Sequence, residues 1–256
     1  MIGSEPAISA DDVATWLRML RWSIWILTAC FVAAGILLFL IEFDVIHGPG
    51  TPPGTPNDYP IHLSYFFADQ RVVFPYEVAG STLFAVGFLA FAGVGLGLRR
   101  LSASRDPIGT VVAACFGFAG GIGAISQLIF VGAKRVAIDP AVCECKYAPE
   151  QLISQDRALD MILGATDWLL AGALLLSALG LLAIPSLASR SRLLSTGWAR
   201  ASQVLAIVLF VGILGLLFEV DVVFDLFAAV GSVVLLPAWA LWLDRQLVRT
   251  SPPATT

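Results

Sequence analysis

Charged residues are scarce in this chain. Asp, Glu, Lys and Arg make up 13% of its 256 residues, whereas hydrophobic residues make up 58%. The mean hydropathy is +0.85, which a soluble globular domain of this length does not sustain. The composition therefore predicts a protein surrounded mostly by lipid, with the bilayer as its main partner. A sequence pI of about 5.1, with no basic stripe, argues against nucleic acid binding.

Histidine is almost missing, and this excludes several kinds of site. The only two, His47 and His62, lie outside the long apolar runs. A haem held by membrane histidines, a His-Glu-x-x-His zinc site and an intramembrane serine protease all need histidines that this chain lacks. A Gly-x-x-x-x-Gly-Lys phosphate loop is missing as well. We therefore expect no enzyme, no cofactor and no metal centre.

The sequence contains six long apolar runs with few charged residues. About 20 apolar residues in a helix cross a hydrocarbon core roughly 30 Å thick. The runs cover residues 22–43, 78–98, 108–132, 158–184, 203–218 and 223–243. They predict an all-α, polytopic transmembrane bundle of six spans, a single domain over residues 1–250 with a disordered tail at 251–256.

Polar segments separate the spans. Residues 44–76 and 133–159 separate apolar runs and are predicted to be loops. The first also contains a Pro/Gly-rich run that opposes regular structure. The charge distribution described next predicts that both loops are external. The aromatic second half of the first loop is expected to lie over the membrane or the bundle as a lid. The fourth span is expected to stop at Pro185, with a polar connector over residues 186–201.

The basic residues predict the orientation. Five of the fifteen fall in the segments 44–76 and 133–159, and the other ten lie at the two chain ends, in the turn from Arg99 to Arg105 and in the connector from Arg190 to Arg200. Loops rich in Lys and Arg stay cytoplasmic. We therefore predict a multi-pass plasma membrane protein with both termini in the cytoplasm.

Glycines in the second and third spans predict close helix packing. Gly93 and Gly97 in the second span, and Gly117 and Gly121 in the third, are each four residues apart and share a helix face. Without side-chain bulk, such a face lets a neighbouring backbone approach.

Asp167 is the ionisable residue of most interest because a carboxylate within a span is costly and usually has a function. With Asp160, Gly164 and Ala171 it forms one helix face, which predicts a polar track from outside into the bundle. Glu77 and Gln127 would extend such an ion or ligand pathway. The alternative, which we favour, is that Asp167 pins helices together by pairing with a basic residue: Lys134, Arg135 or Arg157.

Glu219, Asp221 and Asp225 form a second acidic group at the outer ends of the fifth and sixth spans. Their oxygens could bind a hard cation, but acids that flank a tight surface turn are the commoner explanation. Cys143 and Cys145 are predicted to lie outside the cytoplasm, where they could form a disulfide or a redox pair. Cys30 and Cys115 fall within spans and are expected to be small core residues.

The order of features resembles that of small uncharacterised bacterial six-span membrane proteins of the domain-of-unknown-function type. The likeness rests on the long loop after the first span, the basic turn after the second and the ending Pro-Ala-Trp-Ala-Leu-Trp-Leu, Pro237 to Leu243. This resemblance implies a span layout and no functional residues.

Three functions remain open from the sequence. The favoured one is a noncatalytic binding or assembly module, with a membrane protein or a second copy of the chain as its partner. The first alternative is a small-molecule or ion-coupled transporter that uses Asp167 and nearby carboxylates. The second is an extracytoplasmic thiol redox protein that uses Cys143 and Cys145.

Overall fold

The computed structural model describes residues 10–43, 45–48, 59–102, 106–137, 149–190 and 194–250, and nearly all of these residues are helical. The predicted tail, 251–256, and the Cys143–Cys145 segment lie outside them. Six helices are long and apolar enough to cross a membrane, which confirms the all-α, six-span prediction. The helices are α1 (Ala10–Glu42), α2 (Tyr59–Leu101), α3 (Pro107–Ala137), α4 (Pro149–Arg190), α5 (Thr196–Leu217), α6 (Asp221–Ala229) and α7 (Leu236–Thr250), with a π-helical segment (Val230–Leu235) joining α6 to α7 into the sixth span.

The six spans pack as a ring in chain order. Each helix contacts the next one along the chain, and α1 closes the ring against α7 and the π-helical segment. Aromatic side chains fill the interior: the Phe91 and Phe116 ring centroids are 4.1 Å apart, and Phe116 meets Trp239 edge-on at 6.2 Å. Phe91, Phe116 and Trp198 are fully buried. The bundle is thus packed through its interior at this level.

Parts of both segments expected to be loops are helical. Helix α2 begins at Tyr59, so its 43 residues extend about 65 Å, roughly twice the hydrocarbon thickness. Helix α3 continues to Ala137 and α4 begins at Pro149, where a loop over 133–159 was expected. The aromatic stretch that suggested a lid is part of α2. A hydropathy window detects only the apolar part of a helix, and these helices continue past it.

Pro185 does not end the fourth span. Helix α4 runs through it to Arg190, although an interior proline costs about 3 kcal/mol. Ile184 and Leu187 on either side are buried in the core, and this packing holds the helix together. Helix α5 then starts at Thr196, capped by Ser195, whose hydroxyl accepts a hydrogen bond from the Trp198 amide at 3.3 Å. The connector is therefore much shorter than predicted.

The π-helical segment corrects the register of the sixth span. Phe224 and Ala228 are the buried hydrophobic residues of α6, and those of α7 are Leu236, Trp239, Ala240, Leu243 and Leu247. In one uninterrupted α-helix, the second set would be rotated by about 100° from the first, which is the turn of one residue. A π turn accommodates one extra residue. It thereby keeps both halves of the span facing the bundle.

Only some of the predicted glycine contacts are present. Gly93 lies against Ser23, and Gly97 lies against Leu20, both on α1. Gly117 and Gly121 differ from the expectation, because a Cβ at either position would meet no described atom within 4 Å. The close approach of α3 to α2 occurs instead at Gly120, where a Cβ would collide with the Phe88 carbonyl. The packed face of α3 is thus rotated by one residue from the predicted one.

This one-residue offset gives a matched test. Gly120→Ala is expected to lower the free energy of unfolding by roughly 1–3 kcal/mol, as overpacking does, because the backbone carbonyl of Phe88 must move. Gly121→Ala adds the same methyl group in open space and is expected to be neutral or to stabilise the helix by up to about 1 kcal/mol. Unfolding in mixed SDS and mild detergent measures both. Equal changes in the free energy of unfolding for Gly120→Ala and Gly121→Ala would show that Gly120 does not lie on the face of α3 that packs against α2.

Candidate functional site

Helices α2, α3 and α4 project together beyond the apolar spans. At one end of the bundle, the basic end, Arg99 and Arg100 close α2, and Arg190 Nη1 donates to Asp106 Oδ1 at 3.2 Å. Helices α2 and α4 end and α3 begins at the basic end. The residues of these helices that exceed the predicted apolar runs therefore lie at the opposite end of the bundle. We call this part, residues 59–77, 133–137 and 149–159, the helical extension.

The helical extension has a small apolar core of its own. Phe67 of α2 and Leu159 of α4 are buried. Around them pack Phe74, Ala133, Ile153 and Leu163, so all three helices contribute. This cluster is separate from the main core of the bundle. The extension is therefore a packed three-helix unit.

A polar cluster, consisting of Gln70, Glu77 and Lys134, lies where the helical extension meets the spans. Lys134 Nζ donates to Glu77 Oε1 at 2.5 Å and to Gln70 Oε1 at 3.0 Å. It also lies 5.0 Å from the centroid of the Phe130 ring. The Glu77 and Lys134 side chains are only 10% and 15% exposed. Charge-assisted hydrogen bonds of this kind are the strong ones, and this pair joins α2 to α3.

One oxygen of this cluster has an unused hydrogen-bonding capacity. Glu77 Oε2 is buried and has no hydrogen-bond partner among the described residues. An unsatisfied buried acceptor costs free energy, and low polarity around it raises that cost. The cluster is therefore sensitive to any change that alters its charge balance.

Asp160 and Asp167 do not face the bundle. Both side chains are exposed, whereas Leu159 and Thr166, one position earlier, are buried. One residue corresponds to about 100° around a helix, so Asp160 and Asp167 lie on the outside of α4, whereas Ala171 of the predicted track is buried. The Ser126 hydroxyl donates to the Thr166 carbonyl at 3.0 Å and marks the face that packs against α3. Lys134, a predicted partner of Asp167, pairs with Glu77.

The remaining predicted site residues are dispersed. Gln127 is partly exposed, and Glu219 and Asp225 are exposed. Glu219 lies in the tight turn between α5 and α6 with a φ of 55°, and Asp221 begins α6. Within the described ranges no group of three His, Cys, Asp or Glu residues could hold a metal ion. Cys30 and Cys115 are free thiols, each partly buried in a span.

Sequence reasoning missed the pairing of Glu77 with Lys134, although both residues were noticed. Helix α2 ends at Leu101 and α3 begins at Pro107, and Glu77 and Lys134 lie at similar distances along the chain from this turn between the two helices. Counting outward from the turn would have placed the two side chains at the same level. The alignment of the two antiparallel helices was therefore the feature of the sequence that could have predicted this pair.

A second polar network, which the sequence did not indicate, holds the basic end together. The rings of Trp198 and Trp239 stack with centroids 5.0 Å apart. Trp198 Nε1 donates to the Trp239 carbonyl at 3.1 Å, and Trp239 Nε1 donates to Ser202 Oγ at 2.8 Å. Arg21 Nε donates to Asp244 Oδ1 at 2.7 Å and ties α1 to α7. These contacts close the ring of spans at this end.

Comparison with known proteins identifies no relative: no family model, no curated protein and no solved structure matches this chain. Its function is therefore inferred from its own geometry.

Proposed function

We propose that this multi-pass membrane protein is a noncatalytic binding or assembly module and that the helical extension is the part that contacts its partner. The observation that carries the proposal is that three helices continue past their predicted apolar runs as one packed unit, with their own core and a buried ion pair. Loops that merely connect spans need neither feature. Binding residues on such rigid elements are held more accurately than on loops.

The surface of the helical extension supports contact with a protein. Phe66, Val72 and Tyr76 are large side chains on α2 with exposed fractions of 46%, 46% and 42%. Aromatic residues are enriched where proteins meet, and apolar groups outside the hydrocarbon layer gain from being covered. The partner would be another membrane protein or a second copy of this chain.

The orientation of the protein follows from its charges. Because ten of its fifteen basic residues belong to the predicted cytoplasmic segments, the positive-inside rule favours cytoplasmic termini in the plasma membrane. The helical extension would then face away from the cytoplasm, where an external partner can reach it.

The two alternative functions lack comparable support. A transporter that uses Asp167 needs that carboxylate to face an internal pathway, but Asp160 and Asp167 are exposed on α4. Fully buried Phe91, Phe116 and Trp198 fill the bundle interior. The thiol redox function rests on Cys143 and Cys145, which lie outside the described residues.

Site-specific photocrosslinking in intact membranes tests the proposed function. A benzophenone amino acid at Val72 or Tyr76 is expected to give discrete protein adducts, because these positions lie on the helical extension. Leu89 and Leu96 provide matched controls, since they are 58% and 52% exposed on the same helix but within the span. They are expected to label lipid. An adduct of twice the mass of the chain would identify a second copy as the partner.

The opposite pattern would contradict the proposal. Protein adducts at Leu89 and Leu96, with none at Val72 or Tyr76, would place the partner alongside the spans. Absence of adducts at all four positions would exclude a stable partner on this helix.

A further inference from the structure

A pocket lies between α1 and α2 at the basic end, at the other end of the bundle from the helical extension. Its volume is about 200 Å³, and it is lined by Asp12, Val13, Trp16, Arg100 and Leu101. The Arg100 guanidinium lies over the Trp16 ring, 4.8 Å from its centroid. A cation–π contact of this kind holds a guanidinium through its face. The pocket therefore presents a positioned cation beside apolar side chains.

The pocket lies at the level where both spans end. Gly97 of α2 lies against Leu20 of α1, and the two helices run in opposite directions. Trp16 and Leu101 are each four residues beyond this contact, which is one helical turn, or about 6 Å. The basic residues of the last turn of α2 lie at the same level. Tryptophan and arginine are both favoured where a span meets the lipid headgroups.

We infer that this pocket binds the phosphate of a membrane glycerophospholipid, whichever headgroup that phosphate carries. The indole covers the face of the Arg100 guanidinium, whereas the N–H groups lie in the plane of the guanidinium and point outwards from its edge. They can therefore donate to two phosphate oxygens in the fork geometry that arginine offers. Val13, which is 41% exposed, and Leu101 supply apolar contacts for the glycerol region and the first methylenes of the acyl chains.

The second charged group of the pocket has no role in this assignment. Asp12 already takes part in an interaction within the chain, and the rest of the lining contacts only the phosphate and apolar groups. These parts are common to all glycerophospholipids, so different headgroups are expected to bind alike. A lipid is favoured over a soluble phosphate ester, because one exposed arginine holds an anion weakly in water, whereas acyl chains add apolar contacts.

Native mass spectrometry of the full chain tests the inference. The delipidated protein is equilibrated in mild detergent with one probe at a time: phosphatidylethanolamine, phosphatidylcholine, phosphatidylglycerol or diacylglycerol, all with the same acyl chains. One molecule of each phospholipid per chain is expected to be retained, with dissociation constants that agree within about threefold. Diacylglycerol, which lacks the phosphate, is expected to bind about tenfold more weakly or less. This comparison uses the parent protein, so it does not depend on the folding of a variant.

Two variants locate the binding site. Arg100→Gln is expected to reduce phospholipid retention about tenfold, as loss of a charge-assisted contact does. Arg99→Gln is the matched control, since it removes the same charge from an exposed neighbour that does not line the pocket, and it is expected to retain the lipid. Glycerophosphate in excess distinguishes a soluble phosphate ester from a lipid, and it is expected not to displace the bound phospholipid.

Equal retention of diacylglycerol and the phospholipids would overturn the inference, and so would equal losses for Arg99→Gln and Arg100→Gln. A larger difference among the three headgroups would show that a group other than the phosphate determines binding. Displacement by glycerophosphate would overturn the assignment to a membrane lipid. The site is independent of the proposed partner-binding function, because the crosslinked positions lie at the other end of the bundle, and either proposal can fail without the other.

Discussion

Insertion of one alanine after Val234 in the π-helical segment is expected to cause the largest loss of stability of any single change proposed for this protein. The Val234 side chain is 57% exposed, so the insertion point lies away from the packed face. The π turn already accommodates one extra residue, so a second one rotates α7 by about 100°. Trp239 then leaves the Trp198 ring, and Asp244 turns away from Arg21.

The expected cost is at least that of losing one buried tryptophan contact, roughly 3–5 kcal/mol. Tryptophan fluorescence and unfolding in mixed SDS and mild detergent report the loss of packing and of stability. Val234→Ala is the matched control, because it changes a side chain in the same turn without changing the register, and it is expected to lie within about 0.5 kcal/mol of the parent. If the insertion variant keeps the parental stability, the π-helical segment does not set the register of the sixth span.

Lys134→Met is expected to destabilise the protein by roughly 3–5 kcal/mol, as removal of one partner from a buried ion pair does. Met keeps much of the volume of the lysine side chain. It leaves Glu77 buried and charged, because the carboxylate loses the hydrogen bond that Lys134 donates to Oε1. Among the described residues of the parent protein, Oε1 has a hydrogen-bond partner and Oε2 has none. The same unfolding titration measures the change.

Two further variants separate charge from packing. Arg135→Met removes the same charge from an exposed neighbour and is expected to cost no more than about 1 kcal/mol, the range of surface pairs. Glu77→Gln combined with Lys134→Met leaves no buried charge and is expected to recover most of the stability. Equal losses for Lys134→Met and Arg135→Met would show that the pair behaves as a surface ion pair.

The helical extension and the polar cluster also illustrate the limits of reading membrane sequences. A helix can continue past its apolar run when neighbouring helices cover its apolar side, and residues 65–77 do so against α3 and α4 around Phe67 and Leu159. Their mixed composition resembles that of a loop, because no hydropathy window records which side chains are covered. Which carboxylate Lys134 meets likewise depends on how two helices are aligned.

By itself, the sequence determined the six apolar helices and the scarcity of ionisable side chains within them. Apolar run length is a local property, and the bilayer thickness converts it directly into a number of crossings. The tertiary structure alone decided that Gly120 packs while Gly121 does not, that Glu77 pairs with Lys134 while Asp167 faces outward, and that a π turn rotates α7 into place. In lipid, packed and exposed helix faces are both apolar, so the sequence carries little record of which face meets another helix.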